Sequence, residues 1–186
     1  MDLGQYLSPH DGSNSHENHK NSSGGTAARL LHSVDLEELS ALIEPERGEC
    51  TGIPRPGSVA DAANWLRAVE AEASHALVFG IYAPLLTGTC RARYRDAAGR
   101  SVQISYWIAP GFRQRGLGTA GVRTVLWELA ESGVTHARAY VAPNNTPSQR
   151  LLRRLGFRRG KLLIHEEAGA VLPFDLDFDS LGCNLC

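Results

Sequence analysis

Residues 104–157 read ISYWIAPGFRQRGLGTAGVRTVLWELAESGVTHARAYVAPNNTPSQRLLRRLGF. The run from Val102 to Ile108 has the alternation of a strand, and Thr119 to Ser132 has the periodicity of a helix. Between them lies Arg113-Gln114-Arg115-Gly116-Leu117-Gly118-Thr119. Small residues in such a turn let consecutive backbone N–H groups face one concavity, and the helix N-terminus behind them carries partial positive charge. That pairing suits a phosphate or pyrophosphate. Arg113 and Arg115 can add charge-assisted contacts. A solvent-exposed glycine turn is the competing reading.

The helix after the turn places Val122, Val125, Leu126, Leu129 and Ala130 at i, i+3, i+4, i+7 and i+8, and Gly133 can end it in the left-handed conformation. Thr135 to Val141 then predicts a strand parallel to the one before the turn, reached by a right-handed helical crossover. Thr146 and Gln149 have the spacing of a capping box, and Pro147 suits a first helical position. Leu151, Leu152 and Leu155 form the buried side of that second helix, Gly156 ends it and Phe157 packs back.

Gly116, Gly118 and Gly121 also spell G-x-G-x-x-G, the dinucleotide fingerprint. The context excludes it: Ala109 to Arg115 separate the glycines from their strand, and the next strand ends in Ala142-Pro143 with no carboxylate for a ribose.

Taken together, the stretch resembles the acetyl-CoA-binding core of the GNAT superfamily of N-acetyltransferases. Arg113-Gln-Arg-Gly116-Leu-Gly118 is similar to that family's pyrophosphate loop, Q/R-x-x-G-x-G/A. Tyr106-Trp107-Ile108, Asn145-Thr-Pro-Ser148 and Leu155-Gly156-Phe157 resemble a narrower branch, the ribosomal-protein N-terminal acetyltransferases and their relatives. The close resemblance covers roughly residues 100–160, and a looser one about 28–178. It implies an α/β (α+β) fold with a mixed, mostly antiparallel central sheet. Such a sheet has a splayed parallel strand pair at its centre and about four flanking helices. The splay would admit the pantetheine arm.

The resemblance further implies that acetyl-CoA is the co-substrate and a primary amine the acceptor, either a protein N-terminal amine or a small molecule. The cofactor-binding residues would be Trp107, Ile108, Arg113, Gln114, Arg115, Gly116, Leu117, Gly118, Thr119 and Asn145. Ser148 would be the acid for the leaving thiolate. Asn145 also suits a turn before a helix, and Ser148 an ordinary first-turn position. Many members carry a glutamate base at the position of Gln103, and an amide cannot take a proton. The base is then another carboxylate reached through water, or the amine arrives neutral. Glu166, Glu167, Tyr106, Tyr140 and His75 are the other titratable groups in reach of the argument, with Tyr106 and Tyr140 reading as core aromatics. Gln103 also motivates a second reading, a non-catalytic acyl-CoA-binding or regulatory module.

The remainder of the chain frames this core. Its 186 residues, 42% hydrophobic and 21% charged, suit one domain with a proper core. A net charge of −1 offers no basic excess for nucleic acid. No apolar run is long enough to span a membrane and no secretory signal opens the chain, which points to the cytoplasm. Residues 1–26 are polar and read as a disordered leader, with 27–179 the acetyltransferase domain and 180–186 a tail. His10, His16 and His19 and the terminal pair Cys183 and Cys186 do not assemble the four ligands of a structural metal site.

Within the domain, Ala28 to His32 predicts a first strand. Asp35 caps a helix carrying Leu36, Leu39, Leu42 and Ile43, Glu44 to Gly57 is a loop, and Ser58 to Asp61 caps a second helix with Trp65 and Leu66 inward. Acids in the first helix and the loop face either an acceptor amine or solvent. Ala76 to Ala83 predicts a buried strand. Gly88 to Arg95 and Ser101 to Ile108 form an antiparallel pair about a turn at Asp96-Ala-Ala-Gly99. Leu163 to Pro173 is read as loop. Val171 to Phe178 is a last strand with Phe174, Leu176 and Phe178 inward.

Overall fold

A computed structural model describes residues 25–30, 36–42, 59–71, 75–165 and 169–181. The leader up to residue 24, the loop 43–58, Glu166, Glu167, Cys183 and Cys186 lie outside the described residues, as do the caps expected at Asp35 and Ser58.

Among the described residues eight strands form one sheet: β1 (Ala27–Leu30), β2 (Ala76–Tyr82), β3 (Leu86–Tyr94), β4 (Ser101–Ile108), β5 (His136–Val141), β6 (Arg158–Arg159), β7 (Leu163–His165) and β8 (Gly169–Asp177). Their order is β1-β2-β3-β4-β5-β8-β6, with β7 also on β8. Every pairing is antiparallel except β4 with β5. The helices are α1 (Leu36–Leu42), α2 (Val59–Ala71), α3 (Leu117–Glu131) and α4 (Thr146–Arg154).

The sheet has two covered faces. On one, Val122, Val125, Leu126 and Leu129 of α3 and Leu152 of α4 pack against Ile81, Cys90, Val102, Ile104, Ala137, Ala139, Phe174 and Leu176. The i, i+3, i+4, i+7 stripe of α3 therefore lies where its period predicts. On the other side α1 packs on β3 and α2 on β2, with Leu39 and Trp65 buried.

Local signals set the ends of the elements. Gly99 turns the β3–β4 hairpin with φ of 67°, and Asp96 Oδ1 accepts the N–H of Arg100 at 2.9 Å. Helices α3 and α4 end alike, with Gly133 at φ 89° and Gly156 at φ 88°. After each glycine the chain closes back on the last turn, through Val134 N–H to Leu129 O at 3.0 Å and Phe157 N–H to Leu152 O at 3.0 Å. This is the six-to-one bond of a left-handed helix terminus.

The predicted first strand is present as β1 over Ala27–Leu30, and the rest of its expected span, Leu31 and His32, lies outside the described residues. Three readings of the sequence are corrected. The cap of α4 is Asn145, whose side chain accepts from the Ser148 N–H at 3.2 Å. The cap thus lies one residue before Thr146, because an asparagine oxygen reaches the third helical N–H as well as a threonine does. Gln149 instead donates to Pro143 O at 2.8 Å. Strand β7 lies where the sequence reads as loop, since three residues carry no alternation, and β6 is a two-residue strand in a stretch to which the sequence assigns no element. Lastly, Phe178 leaves the final strand for a short 3-10 turn, its N–H bonding Thr135 O at 3.0 Å while its ring packs on the core from the edge.

Candidate active site

Strands β4 and β5 pair only from Ser101 with His136 to Gln103 with Arg138. Beyond that point β4 runs on to Ile108 and β5 to Val141 without pairing each other. The centre of the sheet therefore splays open, bordered by two strands whose backbone groups on that side have no ladder partner.

The register decides which groups those are. Arg95 N–H bonds Ser101 O at 2.8 Å and Ala109 N–H bonds Thr87 O at 2.9 Å, so the odd residues of β4 direct their backbone groups to β3. The even residues Ile104, Tyr106 and Ile108 direct theirs toward the opening. Trp107 is among the odd ones: a Cβ placed on Gly88 would strike its carbonyl oxygen, which confirms that this carbonyl faces β3. Its indole is buried on the α1/α2 side of the sheet.

At the end of β4 the chain makes a 3-10 turn over Pro110–Phe112 and enters the glycine loop. Gln114, a non-glycine residue, takes φ of 60°, and Gly116 takes φ of 79° as the N-cap of α3. Two left-handed residues so close together bend the backbone into a concave turn. No side chain caps α3, so the first-turn N–H groups of Leu117, Gly118 and Thr119 keep the orphan status of any helix start. A Cβ on Gly116 would meet nothing within 4 Å, which leaves open space above the loop. Donors, dipole and space together fit an anionic group such as a pyrophosphate.

The two arginines of the loop differ. Arg113 Nε donates to Ile108 O at 2.8 Å and ties the loop to the end of β4. Arg115 is exposed, its guanidinium 5.9 Å from the Phe112 ring centroid. Gly118 and Gly121 serve packing. A Cβ on Gly118 would lie 3.1 Å from Leu151 and 3.2 Å from Ile108, and one on Gly121 would lie 2.5 Å from Ile81. The third glycine of the apparent dinucleotide fingerprint is therefore there for close approach of α3 to β2.

Different chemistry lines the two faces of the opening. On the α3/α4 face, the Tyr106 hydroxyl donates to the backbone oxygen of Ser148 at 3.4 Å. Burial pushes the Tyr106 phenol far above its ordinary range, so it remains protonated. Ser148 is half-buried in the first turn of α4, beside its cap Asn145. On the opposite face, Gln103 Oε1 accepts from Arg95 Nη1 at 3.4 Å, and the same nitrogen donates to Tyr140 Oη at 3.2 Å. Arg138 bonds Asp175 at 2.5 Å, and His136 lies 3.2 Å from the same oxygen.

The sequence-predicted residues thus fall into three groups around one opening: the loop 113–119, Asn145 with Ser148, and Gln103 with Ile108. Trp107 borders the site through its neighbours only. His75 is exposed at the start of β2. Tyr140 corrects the expectation of a core aromatic. It lies half-buried where β5 leaves β4, with Arg95 over its ring and the His165 ring tilted against it at 5.1 Å between centroids. The Arg95–Tyr140 contact joins residues 45 apart in sequence, and nothing in either local pattern announces it. Among the described residues no group of His, Cys, Asp and Glu side chains could hold a metal ion, and no helix is long and apolar enough to cross a membrane.

Comparison with known proteins agrees with this geometry. Residues 28–158 match the acetyltransferase (GNAT) domain. Among solved structures, RimL, a ribosomal-protein alpha-N-acetyltransferase in complex with coenzyme A, superposes with a TM-score of 0.75 at 13% identity, covering 85% of this chain and 97% of its own. Mycobacterium smegmatis RimJ gives 0.71 at 23% identity, over 85% of this chain and 84% of its own. The aminoglycoside acetyltransferase AAC(6')-Ib, with coenzyme A, gives 0.73 at 17% identity, over 87% of this chain and all 100% of its own. These likenesses establish the fold, and the domain match covers most of the chain. The chain belongs to the GNAT acetyltransferase domain family and is, by that membership, an acetyl-CoA-dependent acetyltransferase.

Proposed function

We propose that this protein acetylates a primary amine in the cytoplasm, with a protein N-terminal amine as the favoured acceptor. The observation that carries the reading is the divergence of β4 from β5 beyond Gln103, with the starts of α3 and α4 at the same end of the gap. When bound, acetyl-CoA supplies the activated acetyl thioester. The amides of Leu117, Gly118 and Thr119 and the Arg115 guanidinium hold the pyrophosphate. The backbone groups of Tyr106 and the N–H of Ile108, whose carbonyl is held by Arg113, face the gap and bond the pantetheine arm as a missing strand would. The Asn145 side-chain oxygen caps α4, so its amide N–H groups are what it offers to the same arm.

The two faces of the opening divide the proton traffic. Ser148 and the protonated Tyr106 lie on one face, suited to supply a proton to the leaving thiolate. The amine enters from the other, where Gln103, Arg95 and Tyr140 sit. The favoured acceptor follows from the likeness of fold to RimL and RimJ and from the motifs shared with their branch. An aminoglycoside is a polycation, and AAC(6')-Ib is also a structural relative. On the amine face Arg95 sits on Gln103 while Arg138 is paired with Asp175, and the remaining positive charge favours a less cationic acceptor.

The experiment is thermal unfolding with acetyl-CoA, coenzyme A or NADH, followed by an acceptor panel of N-terminal serine and alanine peptides, small amines and aminoglycosides. At a hundred times its dissociation constant acetyl-CoA adds about 2.7 kcal/mol to stability. NADH leaves the melting point alone, and a peptide is turned over in preference to an aminoglycoside. The presence of Gln103 favours one alternative, a binding module without turnover. Acetyl-CoA binding with no acceptor consumed, in both the native chain and a Gln103→Glu variant, would establish that alternative.

A further inference from the structure

The amine side of the opening has a stereochemical problem. An acceptor ammonium must lose a proton before its nitrogen can attack, yet the side chain at the point where β4 leaves β5 is the amide of Gln103. The described groups around it are its cross-strand partner Arg93 on β3, Arg95 from the β3–β4 hairpin, Arg138 and Tyr140 from β5, His165 from β7 and Asp175 from β8. Asp175 is held by Arg138 and His136, one strand further from the gap. The Gln103 oxygen and the Tyr140 oxygen both accept from the same Arg95 nitrogen, so that guanidinium sets the phenol beside the amide. Tyr140 lies two residues beyond Arg138, the last residue of β5 in register with β4, so its side chain borders the open part of the gap on the amine side.

From this placement we propose that Tyr140 is the catalytic base of the acetyl transfer, receiving the proton of the incoming amine. The inference rests on the acetyltransferase reading above. In the step, an N–H bond of the ammonium breaks, its electron pair stays on nitrogen, and the proton forms the O–H bond of Tyr140. The freed amine attacks the thioester carbon; as the C–S bond breaks, the nitrogen of the adduct gives up its second proton, which replaces the one the Ser148 face donates to the departing thiolate, leaving an amide and a thiol. The Tyr140 phenol then returns its proton to solvent.

The electrostatics agree. The Arg95 hydrogen bond draws the phenol below the ordinary tyrosine value of 10.0, partial burial opposes it, and a hydrogen bond from Arg138 adds to the lowering. Two guanidinium groups favour the phenolate, and the His165 ring lies tilted against the Tyr140 ring with centroids 5.1 Å apart. Tyr106, the other aromatic of the opening, is driven the opposite way by burial and cannot share the role.

The test compares native chain, Tyr140→Phe, and Tyr140→Phe combined with Gln103→Glu. Ultraviolet difference titration of native against Tyr140→Phe reads one tyrosine ionising below about 10. Turnover is followed with an N-terminal-alanine peptide, or by acetyl-CoA hydrolysis in water where that peptide is not consumed. Tyr140→Phe lowers kcat by about a hundredfold, leaves the acetyl-CoA dissociation constant and the melting temperature unchanged, and removes the limb of the pH profile that tracks the phenol. Adding Gln103→Glu restores at least a tenth of the rate, with the limb moved toward carboxylate pH. A Tyr140 that ionises at or above about 10, or a Tyr140→Phe rate and profile within about twofold of native, overturns the assignment. Absence of acetyl-CoA binding in the native chain overturns the acetyltransferase reading itself, so the two failures are told apart.

Discussion

Asn145 shows how one side chain can be read for the right place and the wrong bond. The sequence puts it just outside a helix whose cap would be Thr146, and the structure makes Asn145 the cap itself, bonded to the Ser148 N–H. Both residues are candidate site groups, so the cap also fixes how Ser148 meets the opening. Replacing Asn145 by alanine removes that acceptor and is expected to cost about 1 kcal/mol of stability. Asn145→Asp keeps the acceptor and most of that stability while discarding the amide donors. Denaturant titration and acetyl-CoA binding measured on both variants separate the two roles: a cap alone predicts that the aspartate variant binds acetyl-CoA like the native chain.

Helix α3 works through its spacing as an element. Its apolar stripe seats it on β2, β3 and β4, and Gly121 allows the close approach to Ile81. That approach aims the uncapped N-terminus at the mouth of the β4–β5 gap. Gly121→Ala would put a methyl 2.5 Å from a branched side chain. Overpacking of this kind destabilises by about 1–3 kcal/mol despite the higher helix propensity of alanine. The expected result is a lower denaturation midpoint with an unchanged slope. A stabilised variant would mean that helix and sheet have room to part. Gly118 is under a similar restriction from Leu151 and Ile108, so the loop glycines answer to packing as well as to phosphate.

Buried ionisable groups in the core make alkaline pH destabilising for the whole molecule. Cys90, fully buried under α3, has its thiol pushed by desolvation from 9.0 to about 12. The sign follows from linkage: a folded-state value raised above the unfolded one leaves stability intact below about 9 and removes it as pH climbs toward about 12. Each pH unit in that window costs about 1.4 kcal/mol per such group. Tyr106 acts in the same direction from 10.0 upward. Tyr140 acts oppositely, contributing above 10.0, but its exposure to water screens the effect. Chemical denaturation at a series of pH values should therefore show stability falling from about pH 9, with a shallower fall in Cys90→Ala. An identical slope in that variant would show that the thiol ionises elsewhere than in the folded core.

Periodicity and punctuation are local properties, and they were enough for much of this protein. The 3.6-residue stripe from Val122 to Leu129 specified α3. Gly133, Gly156 and Gly99 marked their ends and turn because positive φ costs other residues more. The order strand, glycine loop, helix, strand, helix carried the resemblance to the GNAT family, and that resemblance implied the fold and its co-substrate. The short strands Arg158–Arg159 and Leu163–His165 escaped because two or three residues hold no period, and they exist only where β8 offers them an edge. The extent of the splay was likewise a tertiary matter, set by where the β4–β5 register stops at Gln103. The same holds for the amine side of the site. Arg95, Gln103 and Tyr140 come from a hairpin and two strands, and an ordinary surface arginine and a strand tyrosine acquire their chemistry only when the sheet brings them within hydrogen-bonding distance. Sequence determines which helices and strands form because those choices depend on neighbours along the chain; the charge and proton affinity of a side chain depend on neighbours in space, and folding alone supplies them.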